Sequence, residues 1–202
     1  YQIDHIAQTR ATLKQGARRV LVQSPTGSGK TCLVARMRAS AAAKGKRAWF
    51  CVHRRELLDQ SVETFRFAAD IHTGIVAAGY PTHPLAPVQV CSVGSLKRRL
   101  AALQPPDLIV FDECPHVPSA SWSAIAQAIP KAHQIGLTAT PQRLDGKGLG
   151  AYFDQLLLGP TVAQLITDGY LSPYRLFAPG VFDTSALHHV AGDFNKSEVA
   201  TA

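Results

Sequence analysis

A chain of 202 residues is of single-domain size, with room for an appendage, and is long enough to bury a core. Hydrophobic residues make up 46% against 17% charged, which argues against a disordered chain, a collagen-like repeat or a small disulfide-stapled scaffold. The net charge of +7 is uneven: residues 1–60 hold 12 of the 21 Lys+Arg and 3 of the 14 Asp+Glu, an excess that predicts a polyanionic partner, nucleotide or nucleic acid. No apolar run approaches the ~18 residues of a membrane span and the N-terminus does not resemble a signal peptide, so a cytoplasmic protein is expected. Because the first residue is Tyr1 and not Met, a fragment of a longer chain is expected as well.

In chain order, short β-branched runs alternate with helical patterns, the signature of an α/β fold with a mainly parallel sheet covered by helices. The first strand is predicted at Arg19 to Gln23, followed by a helix from Lys30 to Ala43 with Leu33, Val34, Met37 and Ala41 on one face and Gly45 as terminator. A second strand, Ala48 to His53, precedes a helix marked by Leu58, Val62 and Phe65. Strands at Val88 to Val93 and Leu108 to Asp112 follow, then a helix with Trp122, Ile125 and Ile129, capped by Ser119 and ended by Pro130. The last clear strand is Gln134 to Thr138; beyond Gly150 the alternation blurs, and Gly180 to Ala202 is polar enough to be a connector. Cys32, Cys51, Cys91 and Cys114 are too dispersed for a metal site or a disulfide framework and are expected to pack as small reduced residues.

Ser24-Pro25-Thr26-Gly27-Ser28-Gly29-Lys30-Thr31 lies between the first strand and the first helix, the context a phosphate-binding loop requires. Its glycines let backbone N–H groups turn inward and the helix N-terminus adds positive potential. Lys30 would then reach the β- and γ-phosphates of ATP, and Thr31 would ligate Mg²⁺. Ser24 stands where Ala or Gly is usual, a small side chain expected to cost little. Asp112 and Glu113 follow a buried strand at its C-terminal end, where open α/β sheets bind ligands. In a Mg²⁺-nucleotide site Asp112 would hold the metal through its water shell, and Glu113 would orient and deprotonate the attacking water.

Gly136-Leu137-Thr138-Ala139-Thr140-Pro141-Gln142-Arg143 makes the pattern specific. The chain resembles the N-terminal RecA-like motor domain of a superfamily 2 DEAD/DEAH-box helicase: S-P-T-G-S-G-K-T is similar to motif I, D-E-C-P-H to motif II and T-A-T-P to motif III. Phe50 to Gln60 resembles motif Ia, Ser92 to Leu96 motif Ib, and Tyr1-Gln2 the tail of a Q motif. Arg143 to Leu149 strengthens the likeness to the bacterial and phage DNA helicases and translocases.

The resemblance implies ATP and Mg²⁺ as cofactors and Lys30, Asp112 and Glu113 as the catalytic set. It implies nucleotide contacts at Gln2, Thr26, Gly27, Ser28, Gly29, Lys30 and Thr31, and metal contacts at Thr31 and Asp112. Thr138, Thr140 and His116 would couple nucleotide state to strand grip. His53, Arg54 and Ser95 are candidate contacts to nucleic acid, probed through its phosphates; His53 reads equally as a strand-end histidine and Ser95 as a helix N-cap. Two departures stand out. Pro115 occupies the fourth position of motif II, where a polar side chain is usual, with His116 one residue later. The family's second motor domain, which supplies an arginine finger, is absent, although Asp193-Phe194-Asn195 is similar to the start of its connector. Residues 1–179 are thus expected to be the motor domain and 180–202 the connector. The implied activity is ATP-driven helicase or translocase action on DNA, with two alternatives: a duplex translocase of a restriction or repair complex, or a weakly coupled nucleotide-gated binding module.

Overall fold

The computed structural model describes residues 1–69, 73–114, 120–141, 148–175, 189–190 and 193–194. It divides into two compact units, Tyr1–Leu171 and Ser172–Ala202. The first unit is built on a seven-stranded sheet whose strand pairs are all parallel. In chain order its elements are α1 (Gln2–Lys14), β1 (Arg19–Gln23), α2 (Lys30–Ala42), β2 (Ala48–Val52), α3 (Arg55–Ala69), β3 (Thr73–Val76), β4 (Val88–Ser92) and α4 (Val93–Arg99). They continue as β5 (Leu108–Phe111), α5 (Ala120–Ala128), β6 (His133–Thr138), β7 (Gln155–Leu158) and α6 (Val162–Thr167). The described part of the second unit is one antiparallel pair, His189–Val190 with Asp193–Phe194.

The strand order is β3-β4-β2-β5-β6-β1-β7. The interior strands are buried on both sides, which is why they read in the sequence as continuous apolar runs and not as alternations. Along β2, Trp49 and Cys51 enter one core with Phe111, Trp122 and Ile125, while Phe50 and Val52 enter the other with Leu33, Val34, Phe65 and Leu137. On α2, Leu33, Val34 and Met37 are buried, and the chain leaves the helix through Gly45 at φ 66°.

The predicted strands all form, shifted by at most one residue at each end. Four elements carry no clear sequence signal. α1 has few apolar positions, and β3 is a four-residue edge strand containing Gly74. β7 is the opposite edge, with Leu156 and Leu158 exposed, so the blurred alternation beyond Gly150 conceals a strand and then the helix α6. Arg38 is a further departure: it is fully buried on α2, with its guanidinium 3.9 Å from the centroid of the Phe65 ring. Burial lowers its pKa to about 9. All four cysteines are free, but Cys32 is exposed and does not pack as expected. Ser119, the predicted cap of α5, lies outside the described residues. No helix among the described residues is long and apolar enough to cross a membrane.

Candidate nucleotide and coupling site

The strand order sets the site. β6 lies between β5 and β1, so three consecutive C-terminal strand ends present the acidic pair, the Thr138 segment and the glycine loop side by side. Register fixes their heights: Gln23 pairs with Thr138, and Phe111 with Gly136. One residue past β1, the Ser24 N–H donates to the Thr138 carbonyl at 2.8 Å.

The loop from Ser24 to Gly29 turns with Gly27 at φ 80° and Gly29 at φ 73°, conformations that side chains bearing Cβ resist. Gly29 is the N-cap of α2 and no side chain caps the helix, so its first N–H groups are left to an anion. The Lys30 ammonium donates to the Ser24 and Pro25 carbonyls, both at 3.1 Å, and is thereby held over the loop. Ser28 Oγ donates to the Pro25 carbonyl at 2.6 Å, so the proton of the 2.6 Å Ser24–Ser28 hydroxyl pair comes from Ser24. Both serines are buried. The unusual Ser24 thus braces the loop from beneath.

Asp112 and Glu113 are both half-buried. Glu113 holds φ 54°, the one positive value found on a non-glycine residue among the described positions. Such backbone is uncommon for a glutamate and costs energy that the surroundings must offset. Burial, reinforced by the neighbouring Glu113 charge, raises the Asp112 pKa; Lys30 pulls the other way. Burial lowers the Lys30 pKa, against the pull of Asp112 and then Glu113. These groups therefore form one electrostatic cluster. A hydroxyl from Thr31, a carboxylate at Asp112 and an ammonium beside a helix N-terminus that no side chain caps are the groups that Mg²⁺ and a polyphosphate take, so the residues fit ATP with Mg²⁺.

The N-terminal residues also reach this loop. The Ser28 carbonyl accepts from Tyr1 OH at 2.6 Å and from Gln2 Nε2 at 3.0 Å. The Tyr1 ring meets Tyr170 edge-on with centroids 4.9 Å apart, and a Cβ on Gly27 would lie 3.0 Å from Leu171 Cδ2. Tyr1 enters the sequence reading only through the Q-motif likeness of Tyr1-Gln2, and Tyr170 and Leu171 carry no local signal that points to this loop. In the Thr138 segment, Thr138 Oγ1 donates to the Thr140 carbonyl at 2.5 Å and accepts from the Thr140 N–H at 3.0 Å, closing a tight turn.

Thr26 and Gly27 are exposed on the loop. His53 and Arg54 are exposed just past β2, farther along the same edge. Ser95 is buried, and its N–H donates to Ser92 Oγ at 3.4 Å; Ser92, not Ser95, is the N-cap of α4. Pro115, His116 and the 142–147 stretch lie outside the described residues.

A parallel sheet that delivers a phosphate loop, an acidic pair and an intervening threonine turn to one edge defines a RecA-like P-loop domain. Residues 1–143 match the family described as Type III restriction enzyme, res subunit, and the chain belongs to that family as the N-terminal RecA-like domain of a superfamily 2 helicase. It is 34% identical over 182 residues to a 51.5 kDa protein of Lactococcus phage (isolate 7-9), covering 90% of this chain and 37% of that one. It is 33% identical over 184 residues to the putative mitochondrial ATP-dependent helicase irc3 of Schizosaccharomyces pombe, covering 85% of this chain and 30% of the relative. The chain thus spans about a third of these curated relatives. The fold is shared with a nuclease-deletion mutant of the Type ISP restriction-modification enzyme LlaGI, solved in complex with a DNA substrate mimic. That match has a TM-score of 0.68 at 16% identity, over 84% of this chain and 20% of that one.

Proposed function

We propose that this chain is the first motor domain of an ATP-dependent DNA helicase or translocase acting in the cytoplasm, where its ATP is supplied. The observation that carries the reading is the placement of Lys30, the Asp112–Glu113 pair and the Thr138 turn on three adjacent strand ends. Lys30 and the amides of the 26–31 loop bind the ATP phosphates, while Thr31 and Asp112 hold Mg²⁺. Bound Mg²⁺ would supply charge neutralisation at the β- and γ-phosphates. Glu113 orients water and accepts its proton, and its left-handed backbone redirects the side chain at the end of β5. Gln2 contacts the nucleotide base. Thr138, Thr140 and His116 relay nucleotide state, and His53, Arg54 and Ser95 contact the nucleic-acid backbone. Residues 180–202 lead toward a second RecA-like domain of the same protein.

ATPase activity of the full-length protein with single-stranded DNA, duplex DNA and RNA tests this reading. Turnover stimulated by DNA is expected, and loss of turnover with Lys30→Ala. A Lys30→Ala protein with normal nucleotide affinity and turnover would overturn the assignment. The isolated chain should hydrolyse ATP slowly, because an arginine finger from a partner domain alone is worth ~10³ to 10⁵ in rate. The match to restriction enzymes favours a second reading, translocation along duplex DNA without strand separation. Strand displacement by the full-length protein separates the two.

A further inference from the structure

Gln23 ends β1 and belongs to neither the phosphate loop nor the threonine turn, yet its side chain touches what lies on both sides of β1. Nε2 donates to the Ala139 carbonyl at 3.2 Å, and Oε1 accepts from the Gly159 N–H at 3.3 Å. A carbonyl can only accept and an amide N–H can only donate, so these partners settle which way the half-buried side-chain amide points. Its main chain is engaged at the same point, the Gly159 N–H donating also to the Gln23 carbonyl at 2.9 Å.

Gly159 has no slack. A Cβ there would lie 2.5 Å from His5 Cε1 and 2.7 Å from the Gln23 carbonyl oxygen, so the turn after β7 is clamped between α1 and the end of β1. His5 is 3% exposed and fills this space by packing, since neither ring nitrogen has a hydrogen-bond partner. The same helix, three residues earlier, carries the Gln2 amide that touches the Ser28 carbonyl. A shift of the phosphate loop is therefore felt at Gln23 from two directions: along the chain through Ser24, and through α1 and Gly159. Gln23 passes it to Ala139, inside the threonine turn.

We infer that Gln23 is a positioning residue that couples the state of the nucleotide loop to the Thr138–Thr140 turn. It thereby supplies, from motif I's own strand, a connection to motif III for which Pro115 offers no polar side chain. This rests on the motor reading above. Gln23 touches no substrate and acts through the Ala139 carbonyl and the Gly159 amide.

The test uses two variants of the full-length protein. Gln23→Glu keeps an acceptor for Gly159 but sets a carboxylate against the Ala139 carbonyl, and Gln23→Met removes both bonds at similar length. With coupling, both keep nucleotide affinity and basal turnover and lose only the roughly 2–4 °C in Tm that a lost hydrogen bond costs, while the ratio of DNA-stimulated to basal turnover falls about 2- to 12-fold, the effect of one hydrogen bond. Hydrogen exchange across 138–141 gives a readout that needs no DNA. Adding a non-hydrolysable ATP analogue with Mg²⁺ changes exchange there in the unmodified protein and leaves it unchanged in Gln23→Met. An unaltered ratio with an unaltered exchange response overturns the inference. So does a parallel fall of basal turnover, stimulated turnover and melting temperature, which marks a merely structural residue. If the unmodified protein shows no DNA stimulation, the motor reading fails, and the exchange comparison still decides the role of Gln23.

Discussion

The two ends of β5 carry aspartates with opposite histories. Asp107, just before the strand, accepts from the Arg47 N–H at 2.9 Å and from Lys46 Nζ at 3.1 Å, and the backbone bond from Arg47 is the leading cause that holds its pKa down. Asp154 at the same end of the sheet accepts from the Arg18 and Arg19 amides at 3.0 and 2.9 Å and from the Arg19 guanidinium at 3.0 and 2.7 Å. Burial pulls the Asp154 pKa up, but the Arg19 side chain and these amides outweigh it. Asp112, at the opposite end, is pushed up by burial and by Glu113 beside it. Satisfied carboxylates tie loops to the sheet. A carboxylate whose pKa burial and a like charge raise, beside a strained Glu113 and a desolvated ammonium, marks the end at which the fold expends stability for chemistry.

The largest expected effect sits at the strained end. Glu113→Gln keeps the shape of the side chain but cannot accept a proton, so ATP should still bind while hydrolysis falls ~10²- to 10⁴-fold. Single-turnover hydrolysis checks this, and near-normal rates would move the base elsewhere. Gly29→Ala probes the same end through the backbone. Its Cβ would lie 2.6 Å from Gln2 Nε2, a flexible tip that can swing away at the loss of its bond to Ser28. The φ of 73° admits no such escape, and an L residue there costs roughly 1–2 kcal/mol, so nucleotide affinity should drop about 5- to 30-fold. Titration with a fluorescent ATP analogue measures it.

At the quiet end, Asp154→Ala should leave nucleotide affinity untouched and lower stability by about 1 kcal/mol, or roughly 2–4 °C in Tm, because the site is partly solvated and water replaces some of the lost bonds. A change in ATP binding instead would break the division between the two ends. The smallest effect is one of sign. The Asp154 pKa is lowered by folding, so its contribution is present above its unfolded value of about 4 and is lost as pH falls through the folded value. The Asp112 pKa is raised, so the folded state binds that proton more tightly and loses stability as pH rises from about 4 through the folded value. Asp112→Asn should therefore raise Tm at pH 7, with the gain vanishing at acid pH, while Asp154→Ala lowers Tm at pH 7 by a margin that shrinks in acid. Melting curves across pH compare the two, and equal slopes would erase the distinction.

Much of the fold and site is written locally. Val20 to Val22, Phe50 to Val52 and Leu108 to Phe111 are short apolar runs, rich in β-branched and aromatic residues, that suit a strand buried on both faces. The glycines that permit the loop's φ values, Lys30 and the acid pair each lie within a few residues of the strand end that presents them. Such features depend on neighbours along the chain, so a sequence displays them directly. The edge strands β3 and β7 are legible only once the interior strands exist to pair with them, because a short strand gains its stability from a partner and not from its own pattern.

Other properties depended on which strands became neighbours. Gln23 is the last residue of an apolar run and nothing more, until β6 and β7 flank β1 and bring the Ala139 carbonyl and the Gly159 amide to its two ends. Tyr1 and Tyr170 are unrelated aromatics far apart in the sequence until their rings meet beside the loop. The pKa directions that separate Asp112 from Asp154 come from burial and from partners that lie as far as 136 residues apart in the chain. The sequence by itself determined the motifs and the strand ends that carry them. Which of those ends lie side by side and which charges are desolvated came from the packing of the strands, because desolvation and through-space hydrogen bonding follow distance in the fold and not separation along the chain.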